Sequence, residues 1–185
     1  MVDIVVNENI INHTNEYDAI LVPTNCYQVM SNGFQYEVSR SFPYVAKYNY
    51  QTKYGDNNKL GTILECRDKG KPLFVLAFVS FGYNFKGNDE EFLDYTALEK
   101  CLRFVNILYK EKHVATTMMG CTKFDGNGDR NKVLGIINSI MTDCDITIYD
   151  YKQETQNKIK QKEYIKNLKA RYRKNKLKTR KTKND

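Results

Sequence analysis

The sequence predicts a single α/β domain carrying a basic C-terminal extension, and three observations support this. Short apolar runs alternate with stretches of helical periodicity along the first 150 residues, the pattern of layered α/β folds. Of the 185 residues, 41% are hydrophobic, 12% aromatic and only three are proline, which is enough material for a real core. Charge divides the chain: residues 152–185 hold 14 Lys and Arg against three acids, whereas residues 1–151 hold 15 bases and 19 acids. The domain boundaries that follow are 1–150 for the folded body and 151–185 for a basic helical tail frayed at its end.

Taken in order, Ile4–Val6 and Ala19–Val22 read as strands, the second closed by Pro23. Gly33–Ser41 reads as a helix, with Phe34, Val38 and Phe42 at fourfold spacing and a stop at Pro43. Residues 44–59, rich in Tyr, Asn and Lys, have no clean period and read as loop with a short helix. Leu60–Cys66 and Leu73–Val79 are strand-like runs around a turn at 67–71. Phe92–Lys112 carries Leu98, Leu102, Val105 and Leu108 on one stripe, which predicts a long helix capped by Asp94. Val114–Met118 is the next strand, Asn131–Met141 a helix and Ile146–Tyr149 a last strand. In the tail, Ile159, Ile165 and Leu168 form a sparse stripe among cations. There is no internal repeat.

Several functional classes are excluded or disfavoured. No run approaches the roughly 18 apolar residues of a membrane span. The N-terminus lacks a basic segment ahead of an apolar one, so no secretory signal is expected and the expected location is cytoplasmic. Five cysteines without C-x-x-C spacing indicate reduced thiols, with neither a disulfide framework nor a structural zinc, and no cofactor or metal is implied. Oligomeric state is not legible.

Two loops are placed to carry chemistry. Asn25–Gly33 and Gly120–Asp129 each follow a predicted strand and precede a predicted helix. Backbone N–H groups at a helix N-terminus, made accessible by glycine, bind anions, and open α/β sheets hold ligands at the carboxyl ends of their strands. Glycine also simply punctuates loops, so Gly33, Gly120, Gly126 and Gly128 have that ordinary explanation too. Neither loop is a Walker A, since no Gly-Lys-Ser/Thr follows. Asp125 and Asp129 are rival carboxylates in the second loop; a turn or helix-cap role explains Asp125 better than catalysis and explains Asp129 as well as catalysis does. Cys26 and Cys121 adjoin the loops, but no histidine is expected beside either, and packing explains them better than nucleophilic chemistry. Tyr27, Phe81, Tyr83 and Phe124 are aromatic candidates for stacking on a ligand, although core packing is the first explanation for Phe81 and Phe124 is the better candidate. His13 and His113 read as surface residues.

The segments Asp18-Ala-Ile-Leu-Val-Pro-Thr-Asn25, Met30-Ser-Asn-Gly33, Phe42-Pro43, Leu60-Gly-Thr-Ile, Leu93-Asp-Tyr-Thr-Ala-Leu and Met119-Gly-Cys121 through Gly128-Asp129 occur in an order that resembles the macrodomain family of ADP-ribose-binding proteins. The resemblance covers roughly residues 1–150. It implies a three-layer α/β/α sandwich with a mixed central sheet, and it looks nearest to the small phage and cellular proteins that process ADP-ribose 1''-phosphate. Carried over residue by residue, it places Asn25 against the distal ribose and Gly33 beside the diphosphate or that ribose, with Ser31 and Asn32 in the same loop. Gly120, Cys121 and Thr122 open the phosphate-binding loop, followed by Phe124, Gly126 and Gly128, and Asp129 matches a candidate catalytic carboxylate. Asn25 and Asp129 are thus the implied catalytic pair. Asn9 stands where an aspartate usually meets the adenine amino group, next to Ile10.

This sequence departs from the family at Asn9, at Ser31 and Thr122 where glycine is usual, and in a second loop about two residues longer. A branch that removes ADP-ribose from DNA bases carries a catalytic lysine where Gly82 stands here, with Lys86 the nearest substitute. The resemblance therefore implies hydrolysis of a terminal group, first the 1''-phosphate. The alternatives are an ADP-ribosyl hydrolase acting on protein or nucleic acid and a non-catalytic binder such as a phage counter-defence factor. Richness in Lys, Asn, Ile and Tyr fits an AT-rich genome such as a phage's, which would place the protein in the host cytoplasm. The expected partners are ADP-ribose or a derivative and, through the salt-sensitive tail, nucleic acid, with no membrane. Docking of the tail helix on the body is the competing explanation of its apolar stripe.

Overall fold

The computed structural model describes residues 1–83, 89–122 and 125–150. The basic tail, Lys86 and Phe124 lie outside these residues. A six-stranded sheet runs through the body in the order β1-β6-β5-β2-β4-β3, where β1 is Val2–Val6, β2 Ala19–Asn25, β3 Ile63–Cys66, β4 Phe74–Ser80, β5 His113–Thr117 and β6 Asp145–Asp150. All neighbours are parallel except β3, which pairs antiparallel with β4, so the sheet is mixed as expected.

Strand alternation divides the core in two. On one face of the sheet, Leu21, Val75, Ala77, Val114, Ile146 and Ile148 meet Leu98, Leu102 and Val105 of helix α3 (Tyr95–Leu108) and Val133 and Ile137 of helix α4 (Arg130–Ile140). On the other, Ile20, Val22, Phe74, Leu76, Phe78 and Ala115 meet Phe34 and Val38 of helix α1 (Gly33–Ser41) and Val45 of helix α2 (Pro43–Gln51). The result is three layers, α/β/α. Both faces of β2 and β4 are covered, and every residue of these two strands is buried.

Several elements differ from the sequence expectation. Strand β2 runs through Pro23 to Asn25. The Ile20 N–H donates toward the β4 side, to Leu73 O at 2.9 Å, so odd-numbered residues of β2 face β5. Pairing with β5 ends at Leu21, and the missing N–H of Pro23 therefore falls where no ladder partner stands. Pro43 does not merely stop α1; it is the first residue of α2, where its fixed φ suits a helix and its lost N–H costs nothing. Helix α3 begins at Tyr95, three residues later than expected, because the Asp94 carboxylate caps it by accepting from Ala97 N–H at 2.9 Å. A 3-10 segment at Ile10–Glu16 had no sequence signal beyond Asn9, whose side chain accepts from Ile11 N–H.

Candidate functional site

Strands β2 and β5 are adjacent and parallel, so the loops that leave their carboxyl ends lie side by side. The first loop is held from within by Asn25. Its side chain is almost fully buried, its Nδ2 donates to Val29 O at 2.8 Å, and its Oδ1 accepts from Tyr27 N–H at 3.0 Å and Val29 N–H at 3.2 Å. Gln28, in the left-handed region at φ 61°, donates through Nε2 to Asn49 O and to Thr52 O, which ties the loop to the end of α2. Ser31 is exposed. Asn32 is the N-cap of α1 but makes no side-chain capping bond, and Gly33 opens the helix at φ 59°.

The second loop closes on itself around Thr122 O, which accepts from the N–H groups of Asp125, Gly126 and Asn127 at 3.1, 3.2 and 2.9 Å. Gly128 N–H returns to Gly120 O at 2.9 Å, while Gly126 O accepts from Phe92 and Leu93 N–H. Leu93 is also the reason for two of the glycines: a Cβ at Gly120 would lie 2.7 Å from Leu93 Cδ1, and one at Gly128 would collide with Cδ2.

The loops meet through Asp125. A Cβ on Gly33 would come 2.8 Å from Asp125 Cγ and nearer still to Oδ1. Oδ2 accepts from Thr122 Oγ at 2.7 Å, whereas Oδ1 is shielded from solvent with no hydrogen-bond partner among the described residues. Burial pushes the carboxyl up to about 6, against the opposing effect of the Thr122 bond. Asp129 is different. It is exposed and caps α4, its Oδ1 accepting from Lys132 N–H at 2.8 Å, and its own N–H donates to Tyr95 Oη at 2.8 Å.

The remaining candidates fall into place around this junction. Asn9 Oδ1, the acceptor expected for an adenine amino group, is engaged by Ile11 N–H, and Nδ2 donates to Glu37 at 3.2 Å; Ile10 beside it is core. Burial raises the Cys121 thiol to about 12, and Cys26 is raised by burial as well. His13 stands between Glu8 and Glu16 over the Tyr149 ring, and His113 contacts Thr147 Oγ. Tyr27 makes edge contacts with Tyr54, Phe81 and Tyr83 at 5.1, 5.2 and 6.2 Å. Tyr54 was not legible as part of this group, because it lies 27 positions from Tyr27 in a segment without periodicity. A cavity of about 550 Å³ opens beside the first loop between Tyr27, Ser31, Tyr36, Tyr50 and Tyr54. Among the described residues no cluster of His, Cys, Asp and Glu is placed to hold a metal, and no helix is long and apolar enough to cross a membrane.

No protein-family model matches the chain and no curated protein sequence is similar to it. Its structure, however, is similar to solved macrodomains. The macrodomain of Mycobacterium tuberculosis DarG superposes with a TM-score of 0.61 at 16% identity, over 81% of this chain and 97% of that one. The macrodomain of Thermus aquaticus DarG gives 0.59 at 15% identity, over 81% and 98%. Thermosipho africanus DarTG, solved in complex with ADP-ribose, gives 0.61 at 14% identity over 82% of this chain and 42% of that longer one. The protein is thus an α/β/α sandwich of the macrodomain fold.

Proposed function

We propose that the chain binds an ADP-ribose-type nucleotide where its two glycine loops meet and hydrolyses a terminal group from it, the leading substrate being ADP-ribose 1''-phosphate. The carrying observation is the junction itself: loops from adjacent parallel strands converge at Gly33 and Asp125, at the end of the sheet where such folds hold ligands. The likeness of this chain to part of a DarTG protein solved in complex with ADP-ribose supports the ligand class.

In this reading Asn25 keeps the first loop in shape and Asp129 serves the chemistry. One Asp129 oxygen caps α4, and the carboxylate stands exposed at the loop's edge. It orients a water whose oxygen attacks phosphorus. The bond from phosphorus to the sugar oxygen breaks, the proton lost by the water passes to Asp129 and from there to bulk water, and the leaving oxygen takes up a proton from bulk water. Loop N–H groups offset the developing charge.

A second reading, removal of ADP-ribose from a modified protein or nucleic acid, is favoured by the tyrosine-walled cavity beside the first loop, which has room for a planar leaving group. The basic tail would then bring in a nucleic-acid substrate.

The test is turnover of ADP-ribose 1''-phosphate by the whole chain and by Asp129→Asn, a variant that keeps a capping oxygen but loses the charge. Phosphate release by the wild type and its loss in the variant, at unchanged melting temperature and ADP-ribose affinity, supports the assignment. Equal turnover removes Asp129 from catalysis. Turnover of an ADP-ribosylated oligonucleotide alone selects the second reading, and binding without turnover of either leaves a nucleotide-binding module.

A further inference from the structure

One oxygen of the Asp125 carboxylate is shut from solvent at the centre of a site expected to receive an anion, and it has no partner among the described residues. Three features bear on this. First, Oδ1 is shielded from solvent and makes no hydrogen bond among the described residues, although a buried oxygen left this way ordinarily costs free energy. Second, it is aimed at the beginning of α1: the space where a Gly33 Cβ would lie is filled by this carboxylate. Third, that beginning is open. The first-turn N–H groups of a helix have no intrahelical acceptor, and Asn32 at the N-cap makes no side-chain bond to them. Helix α1 therefore presents partial positive charge and uncommitted donors, and the group placed before them is a carboxylate not bonded to them. Among the described residues, the influences on Asp125 are burial and the Thr122 hydroxyl.

We propose that Asp125 is an internal competitor: its carboxylate occupies, in the empty protein, the anion position between Gly33 and the second loop, and the diphosphate of an incoming nucleotide must displace it. This rests on the reading of the site given above and adds to it a residue that sets affinity and ligand class. A phosphate in the same place reaches the donors of α1 that Oδ1 does not, so the exchange favours the ligand. Two anions at one position repel, so Asp125 must leave for the diphosphate to arrive. Its tether is short: one hydroxyl bond to Thr122 and the close packing against Gly33. The device selects ligands carrying enough negative charge to replace a carboxylate and rejects uncharged nucleosides.

The experiment titrates ADP-ribose, ADP and adenosine calorimetrically into the whole chain as wild type, Asp125→Ser and Asp125→Asn. Removing the competitor tightens ADP-ribose and ADP by about tenfold in both variants, the scale expected for relief of one close like-charge contact, and leaves adenosine unchanged. The asparagine variant is nearly isosteric and guards against misfolding of the serine one, and a melting curve for each verifies the fold. Wild-type binding with no gain in either variant overturns the proposal while leaving the site reading intact. Weaker binding in both variants also overturns it, since it would make Asp125 an acceptor for a ligand hydroxyl. An equal gain for adenosine overturns it by showing that the loops merely loosened. Absence of ADP-ribose binding in every form removes the site reading and this proposal together.

Discussion

Asp125 stands against Gly33 so closely that its Cγ lies 2.8 Å from the place a Cβ would take, and Gly33 itself sits at φ 59°. Two independent constraints thus converge on one glycine, backbone handedness and contact with the facing loop.

Gly33→Ala meets both constraints. It is expected to destabilise the protein by about 1–3 kcal/mol, combining left-handed strain with displacement of a buried carboxylate. Urea denaturation measures this. The double variant Gly33→Ala with Asp125→Ser separates the contributions, because it relieves the contact but not the strain. A single variant as stable as the wild type would mean that the loops part without cost.

The Asp125 carboxyl, pushed up to about 6 by burial, predicts an unusual pH dependence. An unfolded aspartate titrates near 3.9, so between about pH 4 and 6 the folded form binds more protons than the unfolded one. Its effect on folding is consequently unfavourable above pH 6 and disappears below pH 4. The full difference is on the order of 3 kcal/mol. Asp125→Asn removes it, so the variant is expected to gain stability over the wild type at pH 7.5 but not at pH 4. Glu65 and Asp145, both lowered, slope the other way, which makes the difference between the two proteins the quantity to compare. A constant difference across that range contradicts the assignment.

Cys121 adjoins the second loop, yet burial raises its thiol to about 12. It is expected to stay protonated at neutral pH, to react with iodoacetamide far more slowly than in denaturant, and to be replaceable by serine without loss of turnover. Rapid labelling of the folded protein, or inactivity of Cys121→Ser, would instead place a thiolate in the chemistry.

Legibility from sequence followed the strength of local signals. The apolar run of β4 was found within a residue of where the pattern placed it, and Leu98, Leu102 and Val105 of the α3 stripe are buried, whereas Leu108, read on the same stripe, is exposed at the end of the helix. The caps at Asp94 and Asp129 were legible too, since an aspartate ahead of a periodic segment states its own role. Helix α2 was hidden because only Val45 and Asn49 of its nine residues are buried, too few to set a period. Pro23 misled because its tolerance depends on where a neighbouring strand stops pairing, a fact absent from local sequence. The same limit applied to the site. Both loops were visible as glycine patterns, but Asp125, read first as a cap and only second as a carboxylate for chemistry, was turned by the fold inward against Gly33, while Asp129 stayed at the surface.

The pairing of β1 with β6 has a consequence for how the molecule comes together. Val2 lies opposite Ile146 and Val6 opposite Asp150, and the Met1 ammonium reaches the Asp145 carboxylate at 2.7 Å. Strand β1 therefore waits for β6 before it has a ladder to join, and closing that span carries the entropy of more than a hundred intervening residues. Its side chains offer little to hasten the step, since Ile4 and Val6 remain about half exposed after pairing. Nascent chains must accordingly carry Val2–Val6 as an unpaired segment until β6 has been made. In a chain shortened at the front, β6 would become the sheet margin, with its backbone donors and acceptors open to a strand from another molecule.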